Sequence, residues 1–225
     1  AYPCDVGDPV AVAELGDRVL AEHGAPDVVV NNAGAGRWLF IEETDPAEFL
    51  AQVAVPFHAA FLVTRAVIEP MIERGSGRVV MVNSPIAYMP WAGAIGYGCS
   101  RWGVRGFAEC LAADLAETGV GVTEVVAGRV DSDYFETNEG SLPRVPQVDR
   151  LMRLLQPDQV ATIICRAVER DRRRVIEPRE LRALVTLSRL TPGLVRRVAE
   201  ATGARRADGI RARDGALDSG SAGSR

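Results

Sequence analysis

The chain has 225 residues, 47% of them hydrophobic and 25% charged, which suits one substantial α/β domain and leaves too little for two. No apolar run approaches the roughly 18 residues that span a bilayer, and the start lacks the layout of a signal peptide. Residues 1–169 carry 12 Arg against 23 acids, a net of −11, while 170–225 carry 14 Arg against 7 acids, a net of +7. An acidic body of this kind, without clustered basic and aromatic residues, argues against nucleic acid as a partner. The opening "AYPCDV" reads as the end of a strand running into a turn. Next, "DPVAVAELGDRVLAEHG" spaces its apolar residues for a helix, with Asp8-Pro9 as N-cap and first-turn proline.

"PDVVVNNAG" is a short β-branched run ended by a turn, as expected of a strand buried on both faces of a parallel sheet. A long helix is predicted over about 46–74, then a second buried strand in "GRVVMVNS". A helix over about 95–118 leads to a third strand, "GVGVTEVVAG". An irregular stretch over 128–156 precedes a capped helix, "PDQVATIICRAVERD", and a short strand, "RVIEP". Strand–helix alternation of this kind predicts a doubly wound parallel sheet with helices on both faces. Residues 204–225 lack periodicity and large apolar groups and are expected to be disordered.

The cysteines Cys4, Cys99, Cys110 and Cys165 are scattered with no C-x-x-C pair, and the histidines are only His23 and His58. That argues against a zinc site and fits reduced thiols in a cytoplasmic protein. All 26 basic residues are arginine, with no lysine anywhere.

One spacing carries chemistry. Ser84 lies thirteen residues before Tyr97, and Arg101 lies four after it in "GYGCSR". This spacing resembles the active-site layout of hydride-transfer enzymes, in which a carbonyl that accepts a hydride leaves an alkoxide needing a proton, so a donor must sit within hydrogen-bond reach. A phenol, with an ordinary pKa of about 10, is a poor base near neutrality unless a cation stabilises its anion. The position one helical turn later, i+4, puts such a cation on the same face. Taken singly, Tyr97 is a packed aromatic, Ser84 a strand-end hydroxyl, Asn31-Asn32 a turn and Asp5 a helix-entry cap. Trp91 and Trp102 are either core or the walls of an apolar substrate pocket.

Five landmarks in order, "CDV" (4–6), "NNAG" (31–34), "VNS" (82–84), "GYGCSR" (96–101) and "AGRVDS" (127–132), resemble the short-chain dehydrogenase/reductase family, a Rossmann-like fold. Each stands at a predicted strand end or helix start, where open α/β sheets bind ligands. The likeness covers residues 1–176. It implies a nicotinamide cofactor, NAD or NADP, and a small-molecule carbonyl or secondary alcohol as substrate. It places Ser84 on the substrate oxygen, Tyr97 as general acid/base and Arg101 in the lysine position beside it, with Tyr97 and Arg101 also touching the cofactor. Asp5 and Val6 would lie against its adenine. Asn32, Ala33 and Gly34 would approach its ribose, and Gly128, Val130 and Ser132 its carboxamide. Glycine at 34 lets ligand and backbone come close.

The chain departs from the family pattern in three ways. Arginine replaces lysine at 101, which keeps the charge but is planar and larger. Pro56 stands where the family has an asparagine in the long helix, and a proline there is expected to kink the helix and free a carbonyl. The G-x-x-x-G-x-G turn that seats a pyrophosphate on a helix N-terminus is nowhere in the sequence. The expectation is an N-terminally incomplete domain, with the turn encoded upstream of Ala1 and the edge of "DVVVNN" left unpaired.

Two functions follow: an oxidoreductase with an altered Ser-Tyr-Arg site, or a non-catalytic binding or scaffold protein (or inactive fragment) on the same fold. The family likeness also implies a homo-oligomer packed through the helices at 46–74 and 95–118. Residues 177–203 form a basic helical extension that either packs on the domain or makes weak membrane-surface contact.

Overall fold

The computed structural model describes residues 1–206, so the tail expectation from 207 onward lies outside the described residues. Four parallel strands form one sheet in the order β1 (Val28–Asn31), β2 (Gly77–Asn83), β3 (Val120–Ala127) and β4 (Arg174–Glu177). The register sets Val29 beside Val79, Val80 beside Thr123 and Val126 beside Ile176. Helices cover both faces. On one side, α1 (Pro9–His23), α3 (Ala59–Arg74) and α4 (Ile95–Asp114) enclose Val29, Val67, Met71, Val79, Met81 and Val104. On the other, Ile163, Ile164 and Ala167 of α6 (Pro157–Glu169) close over Val80 and Val125. Fully burying a side chain of this size contributes about 1.5–3 kcal/mol, so the central strands β2 and β3 are held mainly by their two apolar faces.

Local chemistry starts and stops the elements. Asp8 accepts hydrogen bonds from the Val10 and Ala11 amides to cap α1, with Pro9 in its first turn. Asp45 accepts from the Ala47 amide to start α2 (Pro46–Val53), and Gly75 ends α3 at φ 71° in the left-handed region. Past β3 come the short α5 (Tyr134–Thr137) and two 3-10 turns, Leu142–Arg144 and Gln147–Leu151, joined by irregular chain, and Val130 bridges Leu155 before α6 begins.

Four expectations need correction. "AYPCDV" is not strand: Asp5 accepts from the Gly7 amide through its carboxylate and from the Asp8 amide through its carbonyl, making a turn. Its neighbour in space is α1, where the Tyr2 hydroxyl reaches Glu22 and His23. β1 pairs with β2 alone among the described residues and is not buried on both faces as expected: Val29 packs with Val67 and Met71, whereas Val28 and Val30 on the other face are exposed. The helix over 46–74 is also not uniform. Pro56 lies in a π-helical turn, Ala54–His58, between α2 and α3. The wider turn takes up a residue that brings no amide hydrogen. Finally, Pro46–Arg74 is long and apolar enough by composition to cross a bilayer. Ala59, Ala60, Thr64, Val67 and Met71 are buried along it, as in the core helix of a folded domain.

After β4, α7 (Arg179–Leu190) and α8 (Pro192–Thr202) occupy the stretch expected to be a basic helical extension. Both are amphipathic. Leu181, Val185 and Val195 insert against Tyr88, Met89 and Val126 at the C-terminal end of the sheet.

Candidate active site

Three elements end or begin at one place. β2 stops at Asn83 and delivers Ser84, whose carbonyl accepts from the Ala87 amide at 3.0 Å to open a turn over Pro85–Ala87. α4 opens with Tyr97 in its first turn and Arg101 one turn later. β3 stops at Ala127 and feeds Gly128, Val130 and Ser132 into the same space. Ser84, Tyr97, Arg101, Gly128, Val130 and Ser132 line one pocket of about 180 Å³.

Aromatic rings close that pocket. Tyr97, 6% exposed, stacks on Trp38 with ring centres 5.7 Å apart, and Tyr134 lies 6.0 Å from it on another side. Trp91 and Phe135 pack on Trp38 in turn. The loop bearing Tyr134 is stitched to the loop bearing Trp38. The Tyr134 hydroxyl donates to the Gly36 carbonyl at 3.0 Å and accepts from the Trp38 indole at 3.3 Å. The Gly36 amide donates to Asn138 at 3.0 Å and the Trp38 amide to Ser141 at 3.1 Å. Burial, followed by the negative charge Tyr97 would carry, holds the Tyr134 hydroxyl above its ordinary pKa, so it stays a neutral donor.

Arg101 is buried rather than turned to solvent. Its Nη1 donates to the Val82 carbonyl at 3.0 Å, and its guanidinium carbon lies 5.1 Å from the Tyr97 ring centre. Nε is buried with no hydrogen-bond partner among the described residues. The other end of the fork lies against Gly34, where an added Cβ would come within 2.4 Å of Nη2. The close approach that glycine permits at 34 is therefore made by the arginine. Gly36 does the same for the phenol: at φ 154° it faces Tyr97, whose Cδ2 would be 3.0 Å from a Cβ there.

Behind the pocket lies a second polar group set. Asn83 Nδ2 donates to Glu124 at 2.8 Å and to the Arg101 carbonyl at 3.2 Å, while its Oδ1 accepts from the Ser84 amide at 2.8 Å. Glu124, 2% exposed, also accepts from the Tyr88 hydroxyl at 2.5 Å and from Arg174 Nε at 2.7 Å. Burial, then the Glu124 charge, drives the Tyr88 pKa upward. One side-chain amide thus fixes the backbone of both Ser84 and Arg101 against a buried carboxylate.

Of the residues singled out from sequence, Asp5, Val6, Asn32, Ala33 and Gly34 do not line the pocket. Asp5 and residues 32–34 are exposed at the same end of the sheet, and Gly34 reaches the site only through Arg101. Trp91 is a pocket wall, whereas Trp102 is 47% exposed and donates to the Ile86 carbonyl. Trp38, Tyr134, Phe135 and Asp149 also line the pocket without having been singled out. Asp149 is 4% exposed; its Oδ2 lies 3.5 Å from Arg129 Nε without a hydrogen bond. Burial raises its pKa, and Arg129 opposes the shift.

The profile of the short chain dehydrogenase family matches residues 1–141. The chain belongs to that family. It is 35% identical over 214 residues to "Probable oxidoreductase EphD" of Mycobacterium tuberculosis (strain ATCC 25618 / H37Rv), covering 88% of this chain and 36% of that protein. The chain therefore spans about a third of the length of that relative. The acetoacetyl-CoA reductase of Cupriavidus necator is 30% identical over 148 residues, 65% of this chain and 60% of that one. Among solved structures, a short-chain dehydrogenase from Streptomyces avermitilis superposes with a TM-score of 0.74 at 25% identity, covering 91% of this chain and 81% of that one. Family membership and the doubly wound sheet agree.

Proposed function

We propose that this domain is an NAD(P)-dependent oxidoreductase that interconverts a carbonyl and a secondary alcohol. The observation that carries this reading is one pocket that holds the Ser84 hydroxyl, the Tyr97 phenol and a buried guanidinium 5.1 Å from that phenol's ring. Ser84 donates a hydrogen bond to the substrate oxygen. Tyr97 gives that oxygen its proton on reduction and takes it back on oxidation. Arg101 sets a fixed positive charge beside the phenol, and the aromatic walls exclude water, which strengthens electrostatic interactions there.

The residues suit the nicotinamide end of a dinucleotide. Arg101 Nε is buried and unpartnered, and Gly128, Val130 and Ser132 stand at the end of β3 beside the phenol. When bound, the dinucleotide supplies or accepts the hydride. Asp5, Val6, Asn32, Ala33 and Gly34 would hold its adenosine half. The choice between NAD and NADP is left to the assay. Acetoacetyl-CoA reductase, a relative by sequence, supports a ketone as the substrate class.

Cytoplasmic location and self-association through α2, α3 and α4 belong to the same proposal. Leu50, Phe61 and Trp102 are exposed on those helices, which supports an interface there. So does weak membrane-surface contact through the α7–α8 corner, where Leu190 and Leu194 are exposed beside arginines.

The test follows NADH and NADPH absorbance against a panel of ketones. It uses this chain and the same chain extended by any in-frame coding sequence upstream of Ala1. Turnover that disappears in Tyr97→Phe is the expected result. Dinucleotide binding without turnover in both forms overturns the enzyme and leaves the scaffold on the same fold.

A further inference from the structure

The C-terminal third carries a feature that the pocket at Tyr97 does not use. Two adjoining clefts of about 520 and 570 Å³ run along α6, β4 and the start of α7. Arg153, Arg166, Arg170, Arg172 and Arg179 converge on them. None of these five has a carboxylate within 4 Å, an aromatic ring or a side-chain hydrogen bond among the described residues. Two carboxylates also line the first cleft, Glu177, engaged by Arg182 at 3.6 Å, and Glu180, so arginines outnumber acids there, and Arg174 is taken up by Glu109 and Glu124. Elsewhere most arginines are paired: Arg144 with Glu43, Arg78 with Asp171, Arg74 with Asp27. Among the described side chains only Arg65, Arg197 and Arg205 are similarly free, so unpaired charge is concentrated at these clefts rather than scattered.

Arginine as such is no clue, because the chain contains no lysine. The placement is the clue. Like charges brought together on a protein whose net charge is −4 repel one another, and a bound anion relieves that repulsion. Guanidinium groups meet phosphate oxygens through paired, charge-assisted hydrogen bonds. The cleft volumes fall in the range of about 300–1,000 Å³ typical of small-molecule sites, and Ile163 and Ile176 add apolar surface.

We propose that these clefts form a second ligand site, separate from the Tyr97 pocket, that takes an oligophosphate-bearing small molecule. The inference does not rest on the oxidoreductase reading. The probe is inorganic pyrophosphate, titrated calorimetrically into the whole chain at two salt concentrations. Saturable binding that weakens with salt is expected, together with a loss of about tenfold or more in affinity for Arg166→Ala/Arg179→Ala. Arg37→Ala/Arg65→Ala, equal in charge removed but remote from the clefts, should bind as the wild type does. Circular dichroism and thermal melts establish that both variants are folded. Pyrophosphate bound equally by wild type and the cleft variant overturns the proposal, since the anion then sits elsewhere. So does an equal loss in both variants, which marks a diffuse charge effect. Absence of pyrophosphate binding, with poly-glutamate or anionic vesicles bound instead, overturns it in favour of a macromolecular surface.

Discussion

At the ends of β2 and β3, Asn83, Glu124, Tyr88 and Arg174 satisfy one another: three donors converge on a buried carboxylate. Beside them on the same strands, Ser84's hydroxyl and Arg101 Nε have no hydrogen-bond partner among the described residues, in a pocket walled by aromatic rings. The strands are shared and the chemistry differs. A closed network spends all its donors on holding the backbone, so losing one member damages the fold. A group with spare capacity beside a cavity contributes little to folding and has something left for a ligand. Removing one group from each side should therefore produce opposite results.

The largest expected effect is on the pocket side. Tyr97→Phe removes one hydroxyl from a buried ring and should lower ketone turnover by about 10²–10⁴-fold. Its urea midpoint should move little. A loss of stability that accounts for the lost activity would mean that Tyr97 is a packing residue. In the buried network the pattern reverses. Glu124→Ala strips a buried anion from three donors, leaves Arg174 with only Glu109, and should cost about 3–5 kcal/mol by chemical denaturation. A loss below about 1 kcal/mol, the level of an exposed pair, would show that water already reaches that carboxylate.

Two smaller changes probe the join between the regions, which is Arg101. Arg101→Lys places a compact ammonium near the phenol. Turnover should rise on the order of tenfold, a change of about 1.4 kcal/mol in the barrier. No gain at all would mean that the arginine already does what the smaller cation can. Gly34→Ala acts from the opposite side: its methyl group would meet Nη2 and push the guanidinium off Tyr97. Its effect on turnover should vanish when Arg101 is already alanine, and full additivity in that double-mutant cycle would break the link.

The sequence carried the sheet in its β-branched runs: "RVVMVN" is buried on both sides and needs no alternation, whereas "DVVVN" reads the same way although it buries only Val29 and exposes Val28 and Val30. It also carried Ser84, Tyr97 and Arg101, because a strand end and a helix start fix their separation locally. The walls of the pocket were out of reach. Trp38 meets Tyr134 and Ser141 across about a hundred residues of chain, in loops with no periodicity to read. The role of Gly34 was hidden for a related reason. A glycine announces that something comes close, but a ligand and an arginine side chain leave the same mark in the sequence. At Pro56 the missing amide was legible, while the π-helical turn that absorbs it depends on how α2 and α4 pack. Gln52 is buried there, and an added Cβ at Gly96 would meet its Oε1 at 2.4 Å.

Asp149 tests which of the two regions a buried carboxylate in the pocket wall resembles. Glu124 is surrounded by donors, whereas Asp149 has Arg129 at 3.5 Å and no hydrogen bond to Oδ2. Burial raises its folded-state pKa above the unfolded value of about 3.9. A folded state that holds its proton more tightly than the unfolded state loses stability as pH rises from the unfolded pKa to the folded one. Above that window the cost stays constant, and below it the cost is absent. Asp149→Asn removes the titration, so the variant should be more stable than the wild type near pH 7, with the difference shrinking as pH falls toward about 4 and absent below it. Urea midpoints measured at both pH values check the sign. A variant that is less stable at pH 7 would place Asp149 with Glu124, as an anion the fold depends on, and would make Arg129 its structural partner rather than a neighbour at the rim of the pocket.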